Sequence, residues 1–279
     1  MIKVEEVGEI NSLISSYMKK GVLTNNFIMQ DKYMEYISSG SLYYENTGKL
    51  LVLLADHKTH WRIYYHIREL GAEIELPEDK PLVLELVYKN DNEALRNQLD
   101  FWVQKGFKPY IHRLRMNGKV ENLNYFQSNS CGVVYSDTSQ SNRVIYADTT
   151  QTGEIHRLIS ESFDRYLGCV PAMAELEEYI RKNEVLVAED EAGRLQGILH
   201  IGSKNSAYFI WHLLVMPEVR GKGVAKILLT HFFNNINNRE NLNAKVQLWV
   251  KKDNLSARGL YEAAGLKYDG WESVGFVRI

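Results

Sequence analysis

Apolar and polar positions change rhythm several times along this chain, and each change marks an element. In the carboxy-terminal half, Arg143 to Ala147 reads as a strand, and Ile155, Leu158, Ile159 and Phe163 recur at helical spacing within a helix expected from Glu154 to Leu167. Pro171 suits a first helical turn, which Ala172 to Lys182 continue. Glu184 to Glu189, Leu195 to Ile201 and Tyr208 to Met216 alternate or run apolar as three strands, with a turn at Asp190 to Gly193. Val224, Ile227, Leu228 and Phe232 form the apolar stripe of a helix that reaches about Asn235. A strand at Val246 to Val250, a shorter helix and a last strand follow. This order predicts an α+β fold in three layers, with a mixed central sheet flanked by helices.

The last part of this pattern occurs twice. Leu82 to Tyr88 is an apolar run that stops at Asp91-Asn92, continues as a helical stretch and ends at Gly106-Phe107. Val246 to Val250 stops at Asp253-Asn254, continues as a helical stretch and ends at Gly265-Leu266. In both copies Asn can accept from free N–H groups at a helix start, and Gly can take positive φ at its end. Between the halves, Asn117 to Gln140 is rich in Asn, Ser and Gln and reads as a linker, with a short strand possible around Val133 to Tyr135. The expected organisation is a first domain over 1–118, a linker over 119–141 and a second domain over 142–279.

Composition narrows the function. The 279 residues carry 33 Lys plus Arg against 35 Asp plus Glu, so no broad basic face for nucleic acid is expected. Cys131 and Cys169 fit neither a metal cluster nor a disulfide framework. Met1 to Leu13 mixes acidic and apolar residues unlike a signal peptide, and no window approaches the roughly twenty apolar residues of a membrane span. The expectation is a cytoplasmic protein without metal, nucleic-acid or membrane partner, monomeric or a homodimer.

Arg220-Gly221-Lys222-Gly223-Val224-Ala225 lies between a strand ending near Met216 and the helix carrying Ile227. A helix start presents unpaired N–H groups and the positive end of a dipole, and two glycines let a phosphate oxygen approach the backbone. The spacing is neither that of a Walker loop nor that of a dinucleotide fold. Taken alone, the glycines suit either a phosphate cradle or a tight turn.

The run from Val215 to Ala225 resembles the acyl-CoA loop of the GNAT superfamily of N-acyltransferases, with Arg220, Gly223 and Ala225 matching the family pattern in order. Asn254 and Leu260-Tyr261-Glu262-Ala263-Ala264-Gly265 resemble its second CoA-binding helix, with Asn254 and Tyr261 seven residues apart. The resemblance implies two GNAT-like domains and an acetyl-CoA cosubstrate. Main-chain groups of Leu213, Leu214 and Val215 would bond the pantetheine arm, and Gly221, Lys222, Gly223, Val224, Ala225 and Lys226, with Arg220 before them, would hold the pyrophosphate. Asn254 would meet the pantetheine. Tyr261 would give a proton to the leaving sulfur. The implied activity is N-acetyl transfer to a primary amine of a small molecule or peptide through a ternary complex. The alternative is a catalytically silent CoA-binding module that recognises a partner.

The general base is not evident, because Tyr208 to Met216 offers no carboxylate. His212 is the candidate on that strand, on the face opposite Trp211 and Leu213, with His200 second; each also suits a packed core histidine. Where some relatives have a glutamate, before Asn254, this chain has Trp249. In the first half the interval from Asp56 to Arg68 contains no Gly-x-Gly, and a helix is expected to begin directly there. His57, His60 and His66 are expected on a solvated helix face, and Trp102 stands where the second half has Tyr261. The first half is therefore expected to bind no CoA.

Overall fold

The structure is a computed structural model describing residues 1–123, 143–204, 207–237 and 244–279. It divides into two compact units, Met1–Arg113 with Gly270–Ile279, and Leu114–Asp269. The last ten residues thus group with the first unit. Residues 124–141 of the expected linker, with the possible strand at Val133 to Tyr135, lie outside the described residues.

In the first unit β1 (Ile2–Lys3), α1 (Val7–Tyr17), β2 (Leu23–Thr24) and α2 (Gln30–Ser38) precede a meander of β3 (Leu42–Asn46), β4 (Leu50–Asp56) and β5 (Trp61–Ile67). Then come β6 (Leu82–Lys89), α3 (Glu93–Gln104) and β7 (Lys108–Lys119), which leads into the second unit. The strand order is β1-β3-β4-β5-β6, and the end of the chain closes it: Trp271 to Arg278 pair antiparallel with Lys89 to Leu82. Apolar residues fill both faces. Leu50, Val52, Leu54, Ile63 and Tyr65 pack with Phe101 and Trp102 of α3, and Leu51, Leu53 and Ala55 pack with Ile10, Tyr17, Tyr33 and Tyr36 of α1 and α2.

The expected helix after Ala55 is absent. Trp61, Ile63, Tyr65 and Ile67 are buried, and Arg62 and Tyr64 face the other side, which is strand alternation. His57 lies in the turn between β4 and β5, His60 is buried at its end and His66 is buried in β5, so the three imidazoles share no helix face. Between β5 and β6, residues 68–81 form no helix. Gly71, Pro77 and Pro81 interrupt that stretch and remove helix propensity and N–H donors.

The second unit begins in β7 and continues with β8 (Arg143–Tyr146), α4 (Thr152–Ser162), α5 (Met173–Arg181), β9 (Val185–Glu189), β10 (Leu195–Lys204) and β11 (Ala207–Val215). It ends with α6 (Val224–Asn237), β12 (Lys245–Lys251), α7 (Leu255–Ala263) and the start of β13 (Lys267–Arg278). Its strands lie in the order β12-β11-β10-β9-β8, antiparallel except for β11 with β12. One face packs on α6 and α7 through Leu228, Phe232, Tyr261 and Leu266, the other on α4 and α5 through Ile155, Ile159, Leu176 and Ile180. Helix α4 stops earlier than the apolar spacing predicts, because the Asp164 carboxylate accepts from the N–H groups of Tyr166 (3.0 Å) and Leu167 (2.8 Å) and turns the chain.

The repeat extends to the caps. Asn92 Oδ1 accepts from the Leu95 N–H at 2.9 Å, and Asn254 Oδ1 from the Ala257 N–H at 3.1 Å. Both helices end on a left-handed glycine, Gly106 (φ 85) and Gly265 (φ 91), with the next N–H returning to Trp102 and Tyr261 carbonyls respectively.

Candidate functional site

The site expected in the second unit centres on β11. Parallel pairing with β12 joins Ala207 to Lys245 and ends at Ile210 with Leu248, although β11 continues to Val215 and β12 to Lys251. The main chain of Trp211 to Val215 thus lies outside that ladder, and an extended polar ligand can bond there as an added strand would. On its other edge β11 pairs His212 with His200 and Ile210 with Ile201, which leaves Trp211 as a bulge. The bulge reverses the alternation. Tyr208 and Ile210 face α6 before it, Leu213 and Val215 face α6 after it, and Leu214 turns toward α4 and α5. Gly202 accommodates the bulged residue, since a Cβ there would lie 2.5 Å from the Trp211 indole nitrogen.

The loop into α6 takes a shape only glycine adopts readily. Gly221 (φ 79) and Gly223 (φ 87) are both left-handed, and a Cβ at Gly221 would meet nothing within 4 Å. Gly197 of β10 brings the helix close: a Cβ there would stand 2.9 Å from Val224 Cγ1 and 3.0 Å from the Leu214 carbonyl. Arg220 Nε donates to the Val215 carbonyl at 3.2 Å and ties the loop to the strand end. The start of α6, a fourteen-residue helix, therefore points its first N–H groups and positive dipole end out of this loop. Lys222 is half-buried and Lys226 exposed beside it. These residues fit a pyrophosphate.

Asn254 uses its carbonyl oxygen to cap α7 and keeps its NH2 group for another partner. Tyr261, one turn from the end of α7, is buried against the core, and its hydroxyl bonds to no described residue. Burial pushes its phenol above the ordinary tyrosine range, so it stays protonated at neutral pH.

His212 does not offer the free lone pair a general base needs. Its Nε2 lies 2.7 Å from the Gly168 carbonyl, which can only accept, so Nε2 carries the proton. Its Nδ1 lies 3.0 Å from His200 Nδ1 and accepts from it. Burial pushes His212 down to about 4, against the bond to Gly168, and pushes His200 down to about 3 with His212 beside it. Both rings are neutral at neutral pH. The sole remaining lone pair, on His200 Nε2, is enclosed without a partner. Sequence reasoning named both histidines and missed that they pair with each other and with Gly168. Positions on facing strands carry that signal only once the register is known.

The matching place in the first unit is built differently. Parallel pairing of β5 with β6 runs from Trp61–Leu82 to Ile63–Leu84 and stops, so these strands also diverge. Here the chain itself occupies the gap. Leu23 and Thr24 of β2 pair with Ile67 and His66, and the Thr24 hydroxyl donates to the Tyr65 carbonyl at 2.6 Å. The buried Asn25 amide donates to the Ile63 and Glu85 carbonyls, both at 3.1 Å, and accepts from the Tyr65 N–H at 2.8 Å. Beyond it, the Glu85 carboxylate accepts from Arg62 at 2.6 Å and from Arg113 and Ser273. Burial alone would raise Glu85, but the Arg113 and Arg62 guanidiniums outweigh it and hold the group down at about 2.

Residues 153–266 match the family model described as Acetyltransferase (GNAT) family. A tandem GNAT protein from the clavulanic acid biosynthesis pathway is similar in fold, with a TM-score of 0.61 at 12% identity over 99% of this chain and 97% of that one. A GCN5-related N-acetyltransferase from Sphaerobacter thermophilus gives a TM-score of 0.57 at 11% identity over 90% and 86%. The glucosamine N-acetyltransferase region of a fungal multi-domain β-N-acetylglucosaminidase gives 0.64 at 12% identity over 97% of this chain and 36% of that one. A search of curated proteins finds no match. At such identities the likeness is one of fold, and it extends over both GNAT-like units. Among the described residues no helix is long and apolar enough to cross a membrane, and no group of three or more His, Cys, Asp or Glu is placed to hold a metal.

Proposed function

We propose that the second unit, whose residues 153–266 match the acetyltransferase (GNAT) family model, transfers an acetyl or related acyl group from acyl-CoA to a primary amine of a small molecule or peptide. The observation that carries this reading is the end of β11–β12 pairing at Ile210–Leu248, beside a helix that starts on two left-handed glycines. Bound acyl-CoA supplies an activated thioester. Gly221 to Lys226, with Arg220, hold the pyrophosphate through main-chain N–H groups and the α6 dipole. The main chain of Leu213, Leu214 and Val215 bonds the pantetheine arm and steadies charge developing on the acyl oxygen. The Asn254 NH2 group is a further donor to the arm. Tyr261, kept protonated by burial, donates to the departing sulfur as charge develops on it.

Removal of the acceptor's proton falls to solvent in this reading. Strand β11 has no carboxylate, and His212 has both nitrogens engaged. The acceptor then reacts as the free amine in a ternary complex, and kcat/KM rises along the amine's own titration with no step in the histidine range. Cys169 is exposed in the loop between α4 and α5 and has no covalent role in this reading.

The test mixes the protein with acetyl-CoA and a library of amines and follows free thiol. Thiol release with at least one amine is expected, falling roughly 100-fold in Tyr261→Phe while CoA affinity is unchanged. A second reading, a CoA-binding module without transfer, is favoured by the engaged His212 lone pair. Tight CoA binding with no thiol released by any amine would establish it instead.

A further inference from the structure

The segment between α4 and α5, Phe163 to Ala172, has no regular secondary structure, yet its Leu167 and Pro171 are buried. Asp164 folds its first turn, and the Gly168 N–H returns to the Asp164 carbonyl at 2.8 Å. The turn is too tight for a side chain at Gly168, where a Cβ would stand 2.2 Å from that same carbonyl oxygen. Cys169 follows in the left-handed region at φ 52, a conformation a residue with a β-carbon holds at a cost of about 1 kcal/mol. Local preference alone does not explain why this carbonyl is turned inward.

The partner that meets it is His212. The bulge at Trp211 turns this imidazole to the α4–α5 side, its Nε2–H reaches the Gly168 carbonyl, and the Phe163 ring stands edge-on to it at 4.5 Å. His200, stacked alongside at 5.3 Å between ring centres, donates to the one lone pair His212 has left. Two imidazoles, both almost fully enclosed, thus form a chain of donors from β10 through β11 into the loop.

We infer that His200 and His212 are positioning residues that fasten the Phe163–Ala172 loop to the centre of β11, one residue before the Leu213–Val215 edge, and so set the wall that selects the acceptor. The wall role rests on the acyl-transfer reading above; the fastening does not. His200 orients His212, and His212 holds the loop. No proton is transferred between them.

The experiment is limited trypsin digestion of the full chain, following cleavage after Arg165, which is exposed within the loop. His212→Phe removes the donor, and the cleavage rate is expected to rise about tenfold, the equivalent of one buried hydrogen bond. His212→Gln, whose amide nitrogen can still reach the Gly168 carbonyl, is expected to stay near the parent rate. Gly168→Ala, which forces the turn open with both imidazoles intact, is expected to raise it as well. It carries the test if His212→Phe does not fold. Parent-like cleavage in folded His212→Phe, or in folded Gly168→Ala, overturns the fastening. In the thiol-release assay the freed loop is expected to raise KM for an accepted amine several-fold with CoA affinity unchanged. A freed loop with an unmoved KM overturns the wall role. Failure of every amine to release thiol removes the acyl-transfer reading, and the wall with it, while leaving the digestion result standing.

Discussion

The two units carry the same pair of diverging parallel strands and treat the gap in opposite ways. Between β5 and β6 the first unit lays its own Leu23, Thr24 and Asn25, and the Asn25 carboxamide supplies the main-chain bonds an extended ligand would make. Between β11 and β12 the second unit leaves Trp211 to Val215 outside the ladder and sets a glycine-led helix beside them. A splayed pair is therefore not by itself a ligand site. Diverging strands leave main-chain groups that must be satisfied, and either the chain or a ligand can satisfy them.

The largest effect is expected from Gly223→Glu, which puts a side chain and a negative charge into the loop proposed to hold the phosphates and should weaken CoA binding by more than about 100-fold in calorimetry. The unaltered chain should bind one CoA, and a second equivalent site would erase the contrast. Next is Glu85→Ala. It leaves the Arg62 and Arg113 guanidiniums without the carboxylate between them and should cost about 3 kcal/mol or more in denaturant unfolding, with CoA affinity preserved. The sign with pH follows from the lowered carboxyl. Stability supplied by Glu85 is complete above its ordinary 4.5 and is lost as pH falls toward about 2, so Glu85→Gln should flatten the acid limb over that window. The smallest change is expected from Asn25→Ala, about 2 kcal/mol, because the divergent strands can admit water in place of the amide. It should not create a second CoA site, since no helix start lies between β5 and β6.

Much of this was readable in the sequence where local physics decides. The Asn92 and Asn254 caps, the Gly106 and Gly265 helix ends and the glycine pair at 221 and 223 are each set by what a single residue can do with its φ or its side chain. The stretch from Trp61 to Ile67 does not read as a strand because its alternation breaks at buried His66, both faces of the sheet being covered. His57, His60 and His66 were misplaced with it. His212 stands out in the sequence as the imidazole of β11, but its chemistry depends on the ring across the ladder and on a carbonyl 44 residues away, which engage both of its nitrogens.

Local sequence sets the order of elements, the recurrence of the strand–helix–strand ending and the pair of left-handed glycines before α6, because periodicity, capping and positive φ act within a few residues. Only the tertiary structure decided that Asn25 fills the first gap, that Trp211 bulges and turns His212 away from α6, and that the last strand joins the first unit's sheet. Those outcomes depend on register between distant strands, where a shift of one residue exchanges the two faces of a sheet and no nearby residue records the choice.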